Sequence, residues 1–404
     1  MDSALESTLL GVFAEAFGTT PTTLAQAPGR VELLGNHTDY NGGLVLAAAI
    51  SRSTAVVGRP VEARRMRVVS VGFQGQNRTD EFDVDAFDPG PPGFWGRYVR
   101  GVVWAMHERF GPLNSGFEAA IAGDLPIGAG LSSSASLQGA VAMFLLRAGV
   151  IGQHGAMNQD DDALMDLART LQRSENEFVG VGSGLLDQFS VLFGKHDHAL
   201  MLDCQTLAHE RLPLGNPAPA IVVCDSKTSR RLADGMYNRR REECERVVRF
   251  FQDRQGADAV RTLRDISLEQ LNTHWSDLDP TGRRRARHVL TENDRVRRGA
   301  EALKAGNLAE FGRLMSASHF SSRDDFENSS PALDALIEAA STAPGFLGGK
   351  LSGAGWAGCT VNLVAADRDH DFAEAVRTSY QQRMGIEPDV HTFRAGEGAW
   401  AVER

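Results

Sequence analysis

Two kinds of hydrophobic spacing alternate along the chain. Runs of apolar residues at 54–58, 67–72 and 117–122 predict strands, and 3.6-residue periodicity at 97–109, 136–148 and 162–178 predicts helices between and after them. Strands are expected again at 198–203 and 221–225, on either side of the polar, proline-bearing stretch LPLGNPAPA (212–220), which marks a candidate domain boundary. Beyond it the pattern becomes helical at 236–252, 268–273, 286–305 and 308–320. Strands return at 348–351 and 359–364, followed by a helix at 371–384 and a strand at 389–394. The first residues, MDSALESTLLGVFAEAFG, place apolar side chains on one helical face and carry acids where a signal peptide would carry positive charge. An α+β protein is expected, with an N-terminal domain over 1–215 and a C-terminal domain over 216–404.

Composition narrows the function. A chain of 404 residues exceeds one ordinary core, which supports two domains. Its net charge of −10 argues against nucleic acid as a partner, because a phosphate backbone requires a basic surface. The basic clusters at 239–241 and 283–287 lie in helical stretches with acids nearby and read as solvated helix faces. Four widely spaced cysteines, Cys204, Cys224, Cys244 and Cys359, form no CxxC pair and suggest neither a zinc site nor a disulfide framework. With no apolar run long enough to span a membrane, a cytoplasmic protein is expected.

Three segments carry more polar groups or glycines than packing requires. APGRVELLGNHTDYNGG (27–43) reads as strand, polar loop, strand: Arg30 and Glu32 flank Val31, Gly35 permits a tight turn, and Asn36, His37, Asp39 and Tyr40 follow. PIGAGLSSSAS (126–136) lies between a predicted strand and a predicted helix. Its small residues let backbone N–H groups approach a phosphate at the positive end of that helix. It is neither a Walker nor a Rossmann loop, since no GK[ST] or GxGxxG is present. GGKLSGAGWAGCT (348–360) is either a cover over the same phosphates or a place where two backbones pass closely.

In this order and spacing the three runs resemble the three motifs of the GHMP small-molecule kinases, and the first is similar to the galactokinase signature. SENEFVGVGSGLLDQF (174–189), HALMLDC (198–204), WGRYVRGV (95–102) and YNRRREECE (237–245) extend the likeness over nearly the whole chain. The resemblance implies a two-domain GHMP architecture with the active site in the interdomain cleft. It also implies transfer of the γ-phosphoryl group of ATP, with Mg²⁺, to the anomeric O1 of a hexose, with galactose the leading substrate. Its partners are then sugar and ATP, with no nucleic acid or membrane, in a monomer or weak homo-oligomer.

Asp187 matches the family aspartate beside O1, and Arg30 the arginine beside that aspartate. The pair would orient O1 and stabilise charge at the reacting phosphate. Ser132 and Ser133, with Gly128 and Gly130, match the phosphate loop; Ser134 and Glu175 match the Mg²⁺ ligands, and Trp95 matches a tryptophan near adenine. His37, Asp39, Gly184 and Tyr237 fall on sugar-contact positions.

One exchange departs from the pattern. Galactokinases resemble GRVNLIGEHTDYN, whereas here Glu32 stands where that pattern has asparagine and Asn36 where it has glutamate. A neutral amide at 36 would tolerate an acceptor at C6, so galacturonate or another C6-altered hexose is an alternative substrate. A non-catalytic sugar or ATP sensor on the same fold is a third reading, which the complete GLSSSAS run, Arg30, Asp187 and Glu175 argue against.

Overall fold

In a computed structural model, residues 3–126, 129–152, 160–228 and 235–404 are described. The first sheet is built from β1 (Thr23–Leu34), β2 (Leu44–Val61), β3 (Arg65–Ser70), β4 (Thr79–Asp83), β5 (Gly116–Gly123), β6 (His198–Asp203) and β7 (His209–Pro213). A second sheet follows, of β8 (Ala220–Asp225), β9 (Phe346–Leu351), β10 (Cys359–Val364) and β11 (Asp389–Phe393), in the order β11-β8-β10-β9 and antiparallel throughout. The chain then returns, and β12 (Trp400–Glu403) pairs with β1 at the edge of the first sheet. That sheet runs β12-β1-β2-β5-β3-β4, with β6 on the other half of the long β2 and β7 beyond it. The segment 214–219 therefore carries the chain from one sheet to the other.

The helices are α1 (Ser3–Phe17), α2 (Gly96–Phe110), α3 (Ser133–Arg147), α4 (Asp161–Arg173), α5 (Leu186–Phe193), α6 (Met236–Gln255), α7 (Leu268–Thr273), α8 (Pro280–Lys304), α9 (Leu308–Ser321), α10 (Pro331–Ser341) and α11 (Asp369–Met384). None among the described residues is long and apolar enough to cross a membrane. Helices α2 to α5 cover one face of the first sheet around Phe117, Phe144 and Phe189. The ends of β1 and β2 share a core with the second sheet, through Val31, Leu33, Leu46 and Ala48 against Val223, Val361 and Leu363, closed by Phe311 and Leu314 of α9. Apolar burial of this extent is the main source of stability, and here it fixes the two sheets against each other beside the loop that joins β1 and β2.

Most predicted elements are present, with boundaries moved by identifiable signals. The predicted helix at 162–178 is α-helical only to Arg173 and continues as a π-helical turn, Ser174–Val179, which turns Glu175 inward. α3 starts three residues before the predicted 136, so the serines occupy its first turn. α10 has the Ser330 cap and Pro331 at its first position, signals present in the sequence but absent from the expected elements.

The basic clusters are not wholly solvated. Arg240 and Arg285 turn inward, both within hydrogen-bonding distance of buried Glu243 (3.0 and 2.6 Å), and Arg285 also pairs with Glu327 at 2.6 Å. Helical periodicity sends one arginine of each cluster to the interior, and the carboxylates there compensate its charge.

The backbones of α9 and β9 touch at Gly312 and Gly348. A Cβ on Gly312 would lie 1.9 Å from the Leu347 carbonyl oxygen. We expect Gly312→Ala to destabilise the protein by about 3 kcal/mol through backbone displacement, seen as a lowered thermal unfolding midpoint.

Candidate active site

β1 brings Arg30 to the centre of the site. Its Nε donates to Asp187 Oδ1 (2.7 Å), its Nη2 lies 2.6 Å from the same oxygen, and its Nη1 donates to the Gly130 carbonyl (2.8 Å). Asp187 sits in the first turn of α5. Its other oxygen, Oδ2, accepts from Ser132 Oγ at 2.5 Å. Three segments far apart in sequence thus meet on one carboxylate. Ser132 itself holds φ at +54° just before α3, and its side chain makes no capping hydrogen bond to that helix. The first-turn N–H groups of α3 are therefore presented beside Arg30, as anion binding requires. Ser133 is exposed at this end, and Ser136 anchors the loop from below by donating to the Ala27 carbonyl (2.8 Å). Gly128 lies outside the described residues.

Glu175, on the π-helical turn, contacts the Ser134 hydroxyl and accepts from Gln188 Nε2 (2.6 Å) and Ser183 Oγ (3.0 Å) on Oε2. Burial pushes its carboxyl above the ordinary value, and the nearby Asp187 charge adds to this. Trp95 stands at the start of α2, largely buried, with exposed Phe73 stacked on it at a centroid distance of 5.9 Å.

The loop between β1 and β2 forms the wall of a cavity of about 390 Å³. Arg30, Glu32, Asn36, His37, Asp39, Gly184, Asp187 and Tyr237 all face it, joined by Gly353 and Ala354. Burial pushes Asp39 up to about 6, helped by the negative charges of Glu32 and Asp187. Gly184 packs directly against this carboxylate: a Cβ there would lie 2.4 Å from Asp39 Oδ2.

His37 has both ring nitrogens occupied. Burial lowers it to about 3, so the ring is neutral. Nε2 lies 3.0 Å from the Ala354 carbonyl, which can only accept; Nε2 therefore donates, and Nδ1 accepts from the Tyr40 hydroxyl at 2.9 Å. Asn36 is also fully engaged. Its Nδ2 donates to the Gly353 carbonyl (2.8 Å) and Glu32 Oε1 (3.3 Å), and its Oδ1 accepts from Asn328 Nδ2 (2.9 Å) and Ser322 Oγ (3.3 Å). Every polar atom of the Asn36 side chain thus has a protein partner, although the residue still lines the cavity. The third glycine-rich run packs against the β1–β2 loop at Gly353 and Ala354, while its Gly348 is the close backbone crossing against α9.

Several residues that hold this site carry no motif. Glu292 of α8 is fully buried, and its Oε1 accepts from the backbone N–H of Gly35 (2.9 Å) and Asn36 (3.3 Å) and from Ser318 Oγ (2.6 Å). One turn away, His288 donates from Nε2 to the Asn36 carbonyl (3.0 Å), and Asn293 Oδ1 accepts from Leu44 N–H (2.7 Å). The i, i+4 spacing of 288 and 292 on one helical face was the available signal. Lys350, by contrast, belongs to the third glycine-rich run; buried on β9, it reaches Glu32 Oε1 at 2.7 Å.

Comparison with known proteins identifies the family. Residues 11–60 match the galactokinase galactose-binding signature, 97–195 the GHMP kinases N terminal domain, and 300–384 the GHMP kinases C terminal model. The chain belongs to the GHMP kinases, in their galactokinase branch. It is 41% identical over 393 residues to the galactokinase of Roseiflexus sp. (strain RS-1), covering 96% of this chain and 95% of that one. Among solved structures it resembles Lactococcus lactis galactokinase complexed with galactose, at 34% identity and TM-score 0.89 over 98% of this chain and 99% of that one. The mevalonate kinase of Methanococcus jannaschii shares the fold at 16% identity and TM-score 0.64, over 93% and 99% of the two chains.

The buried carboxylate of Glu292 gives a stability test. Burial raises its pKa, but Arg295, His288 and Ser318 outweigh burial and bring it to about 2 from the usual 4.5. The resulting stability is present above pH 4.5 and is lost as pH falls through 2. We expect Glu292→Gln to cost about 3 kcal/mol at neutral pH and to flatten the acid limb of the stability curve.

Proposed function

We propose that this sugar kinase transfers the γ-phosphoryl group of ATP to O1 of galactose, giving galactose 1-phosphate and ADP. The observation that carries the reading is the joint contact of Arg30 and Ser132 on Asp187, at the junction of the cavity with the start of α3. A sugar seated against Asp39 and Gly184 directs a hydroxyl to Asp187. That carboxylate orients the hydroxyl and receives its proton as the new oxygen–phosphorus bond forms and the bond to the β,γ-bridging oxygen breaks. Arg30 balances the charge of the transferring group, and the N–H groups of α3 hold the neighbouring phosphates. Positioning and charge stabilisation supply most of the rate in such a transfer.

Ser134 and Glu175 fit a magnesium ion: a hydroxyl and a buried carboxylate lie together at the phosphate end, and among the described residues Glu175 has no cationic hydrogen-bond partner. Mg²⁺ takes few protein ligands and completes its shell with phosphate oxygens and water. When bound, it neutralises charge on the phosphate oxygens.

Galactose is favoured because the Lactococcus relative was solved with that sugar and because the cavity wall carries carboxylates at Glu32 and Asp39. A C6 carboxylate would add negative charge to a cavity that already holds these two, and the Asn36 amide has no donor left to receive it. A regulatory role is disfavoured by the presence of Arg30, Asp187, Ser134 and Glu175 in one connected site.

Coupled ADP release with galactose, galacturonate, N-acetylgalactosamine and glucose tests the substrate. Turnover is expected on galactose, and ATP binding without turnover on any sugar would overturn the kinase reading. Asp187→Asn should lower kcat by about 10²- to 10⁴-fold with ATP binding retained. The Asp39 value of about 6 gives a pH signature. Sugar hydroxyls donate to its ionised form, so galactose affinity should be about tenfold weaker at pH 5 than at pH 7, and Asp39→Asn should abolish that dependence.

A further inference from the structure

We infer that Glu32 is the specificity-determining residue for the part of the sugar across the ring from O1, and that it selects a neutral hydroxyl there. The inference rests on the reading of the site as a hexose 1-kinase.

Arg30 and Glu32 lie two positions apart in a stretch of β1 that stays in register with β2, Arg30 opposite Ala49 and Glu32 opposite Ala47. Both side chains therefore leave the same face of the strand, their Cα atoms about 6.6 Å apart. That separation is close to the width of a pyranose ring. With Arg30 and Asp187 at the reacting hydroxyl, Glu32 meets the ring's opposite edge.

The carboxylate is held in one direction. Its Oε1 accepts from Lys350 Nζ (2.7 Å) and Asn36 Nδ2 (3.3 Å), while Oε2 accepts from no donor among the described residues. Glu32 faces the cavity, so this oxygen is available to a ligand that can donate. Lys350 is fully buried, and Glu32 is its charge partner. The ion pair is locally neutral, so it suits an uncharged hydroxyl. A ligand carboxylate would face Oε2 with no proton between them. Asn36 is a positioning residue: all its polar groups are bound to protein, and one of them aims Glu32. The carboxylate thus enters the cavity from position 32 and is aimed from position 36.

The test is a comparison of galactose with its 4-deoxy and 6-deoxy analogues in the native protein, Glu32→Gln, and Glu32→Gln/Lys350→Met. The double variant removes the buried ammonium that the single one would leave without a partner. Native protein should prefer galactose over at least one analogue by about 10- to 100-fold in kcat/KM, the range for a hydrogen bond to a charged acceptor. In both variants that ratio should fall to within a few-fold of unity, through KM for galactose. Because both sugars are measured on one preparation, the ratio is independent of how much enzyme is folded. A ratio unchanged in both variants, or a native ratio near unity for both analogues, would overturn the assignment of Glu32. Failure of native protein to use any hexose would instead overturn the kinase reading.

Discussion

The loop between β1 and β2 is buried, and a buried loop must have its backbone polar groups satisfied. α8 meets that constraint. Glu292 takes the N–H groups of Gly35 and Asn36, His288 donates to the Asn36 carbonyl, and Asn293 takes the N–H of Leu44. The loop that presents Asp39 to the cavity is thereby fixed by side chains some 250 residues later in the sequence. The position of this cavity wall relative to Arg30 and Asp187 depends on these bonds.

The same cavity is arranged electrostatically by pairing. Arg30 is matched to Asp187 and Lys350 to Glu32, while His37 and His288 are kept neutral by burial. Asp39 stands apart: its hydrogen bonds come from backbone rather than from a cation, and burial raises it toward neutrality. A polar ligand with hydroxyl donors supplies what that carboxylate lacks. Buried charge is costly unless compensated, so each uncompensated group in such a site points to the chemistry of the ligand.

Much of this was legible beforehand, and the reasons for the failures are specific. Local signals such as glycine spacing, serine runs and strand alternation located the three segments that build the site. The exchange at 32 and 36 was visible too, but a sequence does not show that the Asn36 side chain is hydrogen-bonded to Gly353, Asn328 and Ser322. Arg240 and Arg285 were expected in solvent because their acidic partner Glu243 looked like one more charge on a surface helix. The π-helical turn after Arg173 leaves no mark in periodicity, yet it is what turns Glu175 inward.

By itself the sequence determined the class of fold and the segments that meet around Asp187, since these depend on local conformation and on residue type. Tertiary structure decided which polar groups remain available to a ligand. Availability is set by the hydrogen-bonding partners each group finds, and for Asn36, His37, Glu32 and Glu292 those partners include residues from other parts of the chain. Ser132 illustrates the difference: its type and place suggested phosphate, and only the approach of α5 showed that its hydroxyl is held by Asp187.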